Sequence, residues 1–292
     1  MPNRHSAEIL VVGDLIDDIV VVPSDKPRPD TDTLSSILQV GGGSAANTAA
    51  WIGHLGGQVR FVGIAAERDV QRHAAQLERH GVDAQLQGHP TLPTGTIVLF
   101  VDGEERTMFT QRGANVELDC DAVSLDGAAL LHVTGYTLFG AADGGASFQR
   151  LIARAGVPVS VTPGSAGFIA DYGVERFRET IAGATVLFPN LAEGRLLTGL
   201  DDPADVVAAL AREFPVVALT LGGEGVLVAS GGEVVLVPAT ESTVLDPTGA
   251  GDAFAAAFLL EWVSSGDAVV AAERGTVAAA SAVRIMGGRP GS

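Results

Sequence analysis

The sequence predicts an α/β protein: a doubly wound three-layer sandwich with a mainly parallel central sheet, plus a small lid of β-strands. Three observations lead there. Short β-branched runs alternate with Ala-rich segments of helical length, the rhythm of crossover units that place helices on both faces of a sheet. Apolar residues make up 47% of the 292-residue chain, enough for one large core. Two stretches, about 19–40 and 94–110, break the rhythm with strand-like alternation of their own.

Taken in order, the runs at 9–12, 59–62, 129–133, 157–161, 185–188 and 216–220 are the expected central strands. Right-handed connections between them give the two helical layers. The stretch 94–110 alternates polar and apolar residues around Asp102-Gly103 and reads as a hairpin; with 19–40 it forms the lid. The Pro/Asp-rich piece 24–32 falls inside that lid, and no repeat or linker divides the chain, so residues 1–292 read as a single domain. The apolar stretches 253–260 and 268–285 are interrupted or flanked by Asp252, Glu261, Asp267, Glu273 and Arg274 and read as core helices, not membrane spans.

Composition excludes several functions. A formal charge of -17 without a Lys/Arg cluster opposes nucleic acid binding. Cys120 is the only cysteine, which leaves no internal disulfide and no multi-cysteine metal site. The opening Met-Pro-Asn-Arg-His passes into the first strand without a signal-peptide pattern, so a cytoplasmic setting with no membrane partner is expected. Lys26, the only lysine, lies in a polar loop, and no Walker-type run surrounds it. The first strand ends in Gly13-Asp14-Leu15-Ile16 and lacks the Gly-x-Gly-x-x-Gly turn of dinucleotide-binding folds. The six histidines show no metal-ligand spacing and are assigned to the surface; Trp51, Trp262 and most Phe residues read as core. Arg106 and Arg112 flank the end of the second hairpin. A guanidinium there could reach a ligand carboxylate or phosphate, but both are read as surface arginines.

Two runs carry chemistry. In Asp246-Pro247-Thr248-Gly249-Ala250-Gly251-Asp252-Ala253-Phe254, the small residues let backbone N–H groups converge just before a helix N-terminus, where an anion is favoured. Asp252, in the first turn of that helix, would face the same point and accept a proton from an attacking hydroxyl. In Gly41-Gly42-Gly43-Ser44-Ala45-Ala46-Asn47-Thr48-Ala49, the glycines permit close backbone approach to a ligand, and Asn47 offers a donor and an acceptor to a hydroxyl pair. Taken alone, each run is also a Gly-rich turn before a helix, with Asp252 as a plain cap.

Together the two runs resemble the paired signatures of the ribokinase-like (PfkB) carbohydrate kinase family, Gly42-Gly43-x-x-x-Asn47-x-Ala49 and Asp246-x-Thr248-Gly249-Ala250-Gly251-Asp252. Gly13 with Asp18, Asn190-Leu191-Ala192-Glu193, and Thr220-Leu221-Gly222 with Gly225 extend the resemblance over essentially the whole chain. It implies a ribokinase-like fold and ATP-dependent phosphorylation of a hydroxyl on a small sugar or sugar-derived metabolite. Asp18, Gly42, Gly43 and Asn47 would then hold the substrate; Asp252 would be the base; Gly249, Ala250 and Gly251 would form the anion hole. Asn190 with Glu193 would order Mg²⁺ through water, Thr220, Gly222 and Gly225 would border the nucleotide, and Asp246 with Thr248 would lie where many relatives bind a monovalent cation such as K⁺. A homodimer paired through the lid strands is also implied. Two departures stand out: Pro247 replaces the commoner Thr, and Val161-Thr162-Pro163-Gly164 stands where many sugar kinases carry Asp-x-Asn-x-Arg. Competing readings are a nucleoside (adenosine-type) kinase and a catalytically silent sugar sensor on the same fold.

Overall fold

Along the first central strand every second side chain points the same way, so Ile9 and Val11 enter one apolar cluster while Leu10 and Val12 enter another. Both faces of the sheet are therefore covered, and a three-layer arrangement follows. The computed structural model describes residues 7–102 and 105–291. The expected turn at Asp102-Gly103 falls partly outside them, as does the Arg106 side chain.

The chain begins with β1 (Glu8–Val12), β2 (Ile16–Pro23) and β3 (Ser35–Gly42), then α1 (Ser44–His54), β4 (Val59–Ala66), α2 (Val70–Glu78) and β5 (Asp83–His89). Next come β6 (Gly95–Asp102), β7 (Glu105–Gln111), β8 (Ala128–Thr134), α3 (Ala146–Ala153), β9 (Val159–Thr162), α4 (Ala166–Tyr172) and α5 (Val174–Thr180). The remainder is β10 (Val186–Leu187), α6 (Leu191–Thr198), α7 (Pro203–Leu210), β11 (Val216–Thr220), β12 (Val226–Ser230), β13 (Glu233–Val237), α8 (Ala250–Ser265) and α9 (Ala268–Ala282).

The central sheet has the order β13-β12-β11-β10-β9-β8-β1-β4-β5. Its strands run parallel except at one edge, where β12 and β13 are antiparallel. All six runs expected as central strands lie in it. The additional β12–β13 hairpin turns on Gly231 and Gly232, both with positive φ, and β5 alternates polar and apolar residues as befits an edge. A second sheet of order β3-β2-β6-β7 is built from the two stretches that broke the helical rhythm. Arg72 on α2 grips the base of this sheet by donating to both carboxylate oxygens of Asp17 on β2, at 2.8 and 2.7 Å. Burial alone would raise the Asp17 pKa, but the hydrogen bonds from His73 and Arg72 hold it well below the usual carboxylate range.

α8 is the central helix of its layer. Residues Ala253 to Leu259 are buried almost all round, and the small side chains of Ala255 and Ala256 let it lie close to α1, α9 and the sheet. Phe188, Phe254 and Phe258 form an edge-on aromatic cluster beneath it, the Phe188–Phe258 centroids 5.1 Å apart. Two histidines depart from the surface assignment. His73 and His132 are fully buried; the His132 ring lies 2.9 Å from the Ser160 hydroxyl, and burial pushes its pKa down to about 3. Histidine carries enough apolar ring to enter a core as the neutral form, which spacing alone does not reveal. Cys120 is buried, and its thiol is pushed up to about 12, so it stays an inert core residue. Among the described residues, no helix is long and apolar enough to cross a membrane.

Candidate active site

The site lies where the carboxyl ends of β1, β8 and β11 meet the starts of α1 and α8, the crevice that open parallel sheets offer to ligands. Its anchor is Asp14, just beyond β1. The carboxylate accepts from the backbone N–H of Ser44 at 2.8 Å and of Ala45 at 3.2 Å, and from the Thr134 hydroxyl at 2.8 Å. α1 has no capping side chain of its own, so Asp14 supplies the cap from a distance and pins the helix start over the sheet.

That placement brings α1 against α8. The Ser44 hydroxyl donates to one oxygen of Asp252 at 2.7 Å, and the Asn47 amide donates to the other at 3.0 Å. Burial raises the Asp252 pKa to about 7; Ser44 and Asn47 oppose the shift, while the nearby charges of Asp14 and Asp18 add to it. Asn47 is 4% exposed, and its carbonyl oxygen has no hydrogen-bond partner among the described residues, an unused acceptor beside Asp252. Asp18, half-buried on β2, is likewise raised to about 7, mainly by burial, with Arg289 opposing and Asp14, Asp17 and Asp246 contributing. Its carboxyl group occupies the space a Cβ on Gly42 would need, which explains that glycine. Gly43, at φ 93, forms the N-terminal boundary of α1. Asp18 and Gly42 thus meet at the end of the smaller sheet, and Asn47 and Asp252 meet where α1, bounded by Gly43, touches α8.

At the start of α8, Gly249 is left-handed at φ 77, and any Cβ there would strike the backbone of Gly288. Ala250 and Gly251 at the same tip border a cavity of about 640 Å³, lined by Thr220, Gly222 and Gly225 among others. Asp252 thus bonds to α1 while its neighbours Ala250 and Gly251 at the same helix tip line a cavity of ligand size. Asn190 reaches this neighbourhood by pairing with Thr220, and it caps α6 reciprocally with Glu193: the Asn190 side chain accepts from Glu193 N–H at 2.9 Å, and Glu193 Oε2 accepts from Asn190 N–H at 3.0 Å. Glu193 is 2% exposed, and burial lifts its pKa to about 7.

Asp246 is buried in the loop before α8. One oxygen accepts from the Thr248 N–H and hydroxyl at 3.0 and 2.7 Å, the other from Gly287 N–H at 2.9 Å. The segment 287–289 continues as a clasp that sequence reading did not find: Gly288 O accepts from the Trp51 indole at 2.9 Å, and Arg289 Nη2 donates to Gly42 O at 3.0 Å. Arg289 lies 247 residues from Gly42 in sequence, so no local pattern announces it. Asp14 and Ser44 were also missed as site residues, although both sit inside runs already singled out. Arg112 is a correction: it is no surface residue but half-buried, with Nη2 donating to the Tyr136 carbonyl.

A half-buried carboxylate whose pKa is raised by burial, beside a helix tip and a cavity, is the arrangement expected of a functional site. The description "pfkB family carbohydrate kinase" matches residues 6–292, and the chain belongs to that family. It is 31% identical over 270 residues to an ATP-dependent ribose-1-phosphate kinase of Halopiger xanaduensis, covering 89% of this chain and 86% of that protein. The adenosine kinase of Sinorhizobium meliloti superposes with a TM-score of 0.87 at 26% identity, covering 98% of this chain and 96% of that one. A ribokinase of Thermotoga maritima shares the fold, with a TM-score of 0.81 at 22% identity over 97% and 94% of the two chains. The protein is accordingly a phosphotransferase of the carbohydrate kinase class.

The Gly42 contact yields a test. Gly42→Ala should displace the Asp18 carboxyl group and lower kcat/KM at least tenfold, while urea unfolding shows a stability loss of no more than about 1–3 kcal/mol, the usual range for overpacking. Full activity in that variant would remove Asp18 from the site.

Proposed function

We propose that the chain transfers the γ-phosphoryl group of ATP to a hydroxyl of a small sugar or sugar-derived metabolite, with Asp252 as general base. The observation that carries this reading is the position of Asp252 at the tip of α8, bonded to Ser44 and Asn47 while the adjacent Ala250 and Gly251 line the 640 Å³ cavity. Asp18, Asn47 and the backbone at Gly42 and Gly43 hold the acceptor hydroxyls. One hydroxyl takes over a hydrogen bond that Ser44 or Asn47 makes to Asp252 in the free protein. Its proton passes to the carboxylate as the oxygen bonds to phosphorus and the bond to ADP breaks. Charge developing on the phosphoryl oxygens meets the Gly249-Ala250-Gly251 amides at the helix tip, where the macrodipole adds to the attraction. Thr220, Gly222 and Gly225 border the nucleotide.

Mg²⁺ fits this site as a partly hydrated ion. Among the described residues, no group of three His, Cys, Asp or Glu side chains is arranged to hold a metal, and Glu193 is a single carboxylate with one oxygen already engaged. Asn190 and Glu193 would therefore hold it through its waters, and the ion would supply neutralising charge to the nucleotide phosphates. The loop of Asp246 and Thr248 is the candidate place for a monovalent cation. A nucleoside acceptor is the second reading, favoured by the similarity to the S. meliloti adenosine kinase. A sugar sensor on the same fold would bind both ligands without turnover.

Replacing Asp252 with Asn should preserve ligand-induced thermal stabilisation yet lower kcat about 10²- to 10⁴-fold. Unchanged kcat would remove Asp252 as the base, and ligand binding without any turnover in the native chain would establish the sensor. With the native chain, kcat/KM should fall as pH drops below about 7, because the base must be unprotonated and burial has raised its pKa. Asp18 titrates in the same range and is coupled to Asp252, so the Asp18→Asn variant should retain a fall of altered shape and midpoint. A flat profile from pH 5 to 8 would contradict the assignment.

The lid also presents a face for pairing. On the side opposite Asp18, the sheet carries Ile19, Val21, Ile37, Val98, Phe100 and Phe109, of which Ile37 is 66% and Phe109 62% exposed. Such a patch favours a homodimer through the lid strands. Light scattering should give twice the chain mass, and Phe109→Asp should shift it toward the monomer; a native monomer at all working concentrations would refute the dimer.

A further inference from the structure

The two partners of Asp252 differ in freedom. Asn47 donates to Oδ2 at 3.0 Å, and Ser44 donates to Oδ1 at 2.7 Å. The Asn47 amide is wedged against backbone: a Cβ on Gly288 would strike it, and Gly288 is itself held by the Trp51 indole, which donates to its carbonyl. Asn47 cannot swing that way without displacing Gly288. Ser44 is placed differently. It is half-buried where Asn47 is 4% exposed, so the contact to Oδ1 is the less enclosed of the two. Its backbone is pinned, because the Ser44 and Ala45 N–H groups donate to Asp14 and a Cβ on Gly43 would meet the Asp14 carbonyl. The hydroxyl is the movable part, since it changes partner by one rotation about Cα–Cβ between staggered wells.

The titratable groups that face Asp252 are Asp14 just past β1, Asp18 on β2 and Tyr136 just past β8. From α1 it meets the neutral Ser44 and Asn47. Burial and the two aspartates favour the protonated carboxyl, and the two donors oppose them. A hydroxyl that donates to a carboxylate stabilises its ionised form, the form a proton acceptor must have.

We propose that Ser44 is a positioning residue that holds Oδ1 of Asp252 in the free protein and yields it to the reacting hydroxyl of the acceptor, while Asn47 stays on Oδ2 as a fixed anchor. This rests on the reading of Asp252 as the base. It adds which oxygen takes the proton and which partner gives way.

The test is a set of pH profiles at saturating ATP for the native chain, Ser44→Ala and Ser44→Thr, on the fastest acceptor among D-ribose, D-fructose 6-phosphate and adenosine. Here kcat/KM reports the protein before the acceptor binds, and kcat reports the complex. Without the Ser44 donor Asp252 holds its proton to higher pH, so in Ser44→Ala the fall of kcat/KM at low pH should move up by about one pH unit, the scale of one hydrogen bond to a charged group. The kcat profile should keep its midpoint, because in the complex the acceptor has already replaced Ser44. Ser44→Thr retains the hydroxyl and should restore the native kcat/KM midpoint. A rate loss at every pH with no change of midpoint marks a purely structural residue and overturns the proposal. An equal displacement of both profiles also overturns it, since Ser44 then never leaves Oδ1. If no acceptor turns over or the native profile is flat, the kinase reading fails by itself, and ¹³C NMR of protein labelled at aspartate decides about Ser44. The Asp252 carboxyl signal, identified by its loss in Asp252→Asn, should titrate at higher pH in Ser44→Ala than in the native chain; coincident curves overturn the role of Ser44 at Oδ1.

Discussion

The site is organised by the burial of the Asp252 carboxylate at the start of α8, with a hydroxyl and an amide as its direct partners among the described residues. No arginine or lysine forms an ion pair with it among the described residues, and the neighbouring charges of Asp14 and Asp18 are of its own sign. Its affinity for a proton therefore rises into the neutral range, whereas a salt bridge would have driven it the other way, as happens at Asp17 beside Arg72. Two aspartates are thus tuned in opposite directions by what faces them. One ties the smaller sheet to α2; the other keeps a near-neutral affinity for a proton.

Holding such a carboxylate in place demands close packing with little side-chain bulk. Gly42 yields its Cβ space to Asp18, and Gly249 yields its own to the backbone of Gly288. Gly288 in turn packs against Asn47 and accepts from Trp51, so the loop before α8, helix α1 and the C-terminal clasp meet at one point. Arg289 extends that contact to the end of β3, linking the lid to the same junction. The smaller sheet is thereby tied to the helix that presents Asn47 and Ser44.

The surroundings of Asp252 and of the neighbouring cavity differ. Around Asp252 the site gathers carboxylates and neutral donors. The cavity beside the tip of α8 is lined instead by the end of β11 and small residues, Gly222, Gly225, Ala250 and Gly251 among them.

The sequence by itself determined the alternation of strands and helices, the existence of the lid, and the two runs that frame the site. Each of these is written in local pattern: period-two and period-3.6 hydrophobicity, or glycines where backbone must approach backbone. The β12–β13 hairpin and β5 were less legible because edge strands carry mixed polarity and the antiparallel edge interrupts the crossover rhythm. What only the tertiary structure decided is which side chains lose their water. Asp14 and Ser44 became a remote cap and a partner of Asp252, His73 and His132 went into the core, Arg112 was folded against Tyr136, and Arg289 crossed 247 residues to reach Gly42. Burial and long-range pairing depend on how distant segments fold over one another, and a polar residue carries the same letter in the sequence whether the fold exposes it or encloses it.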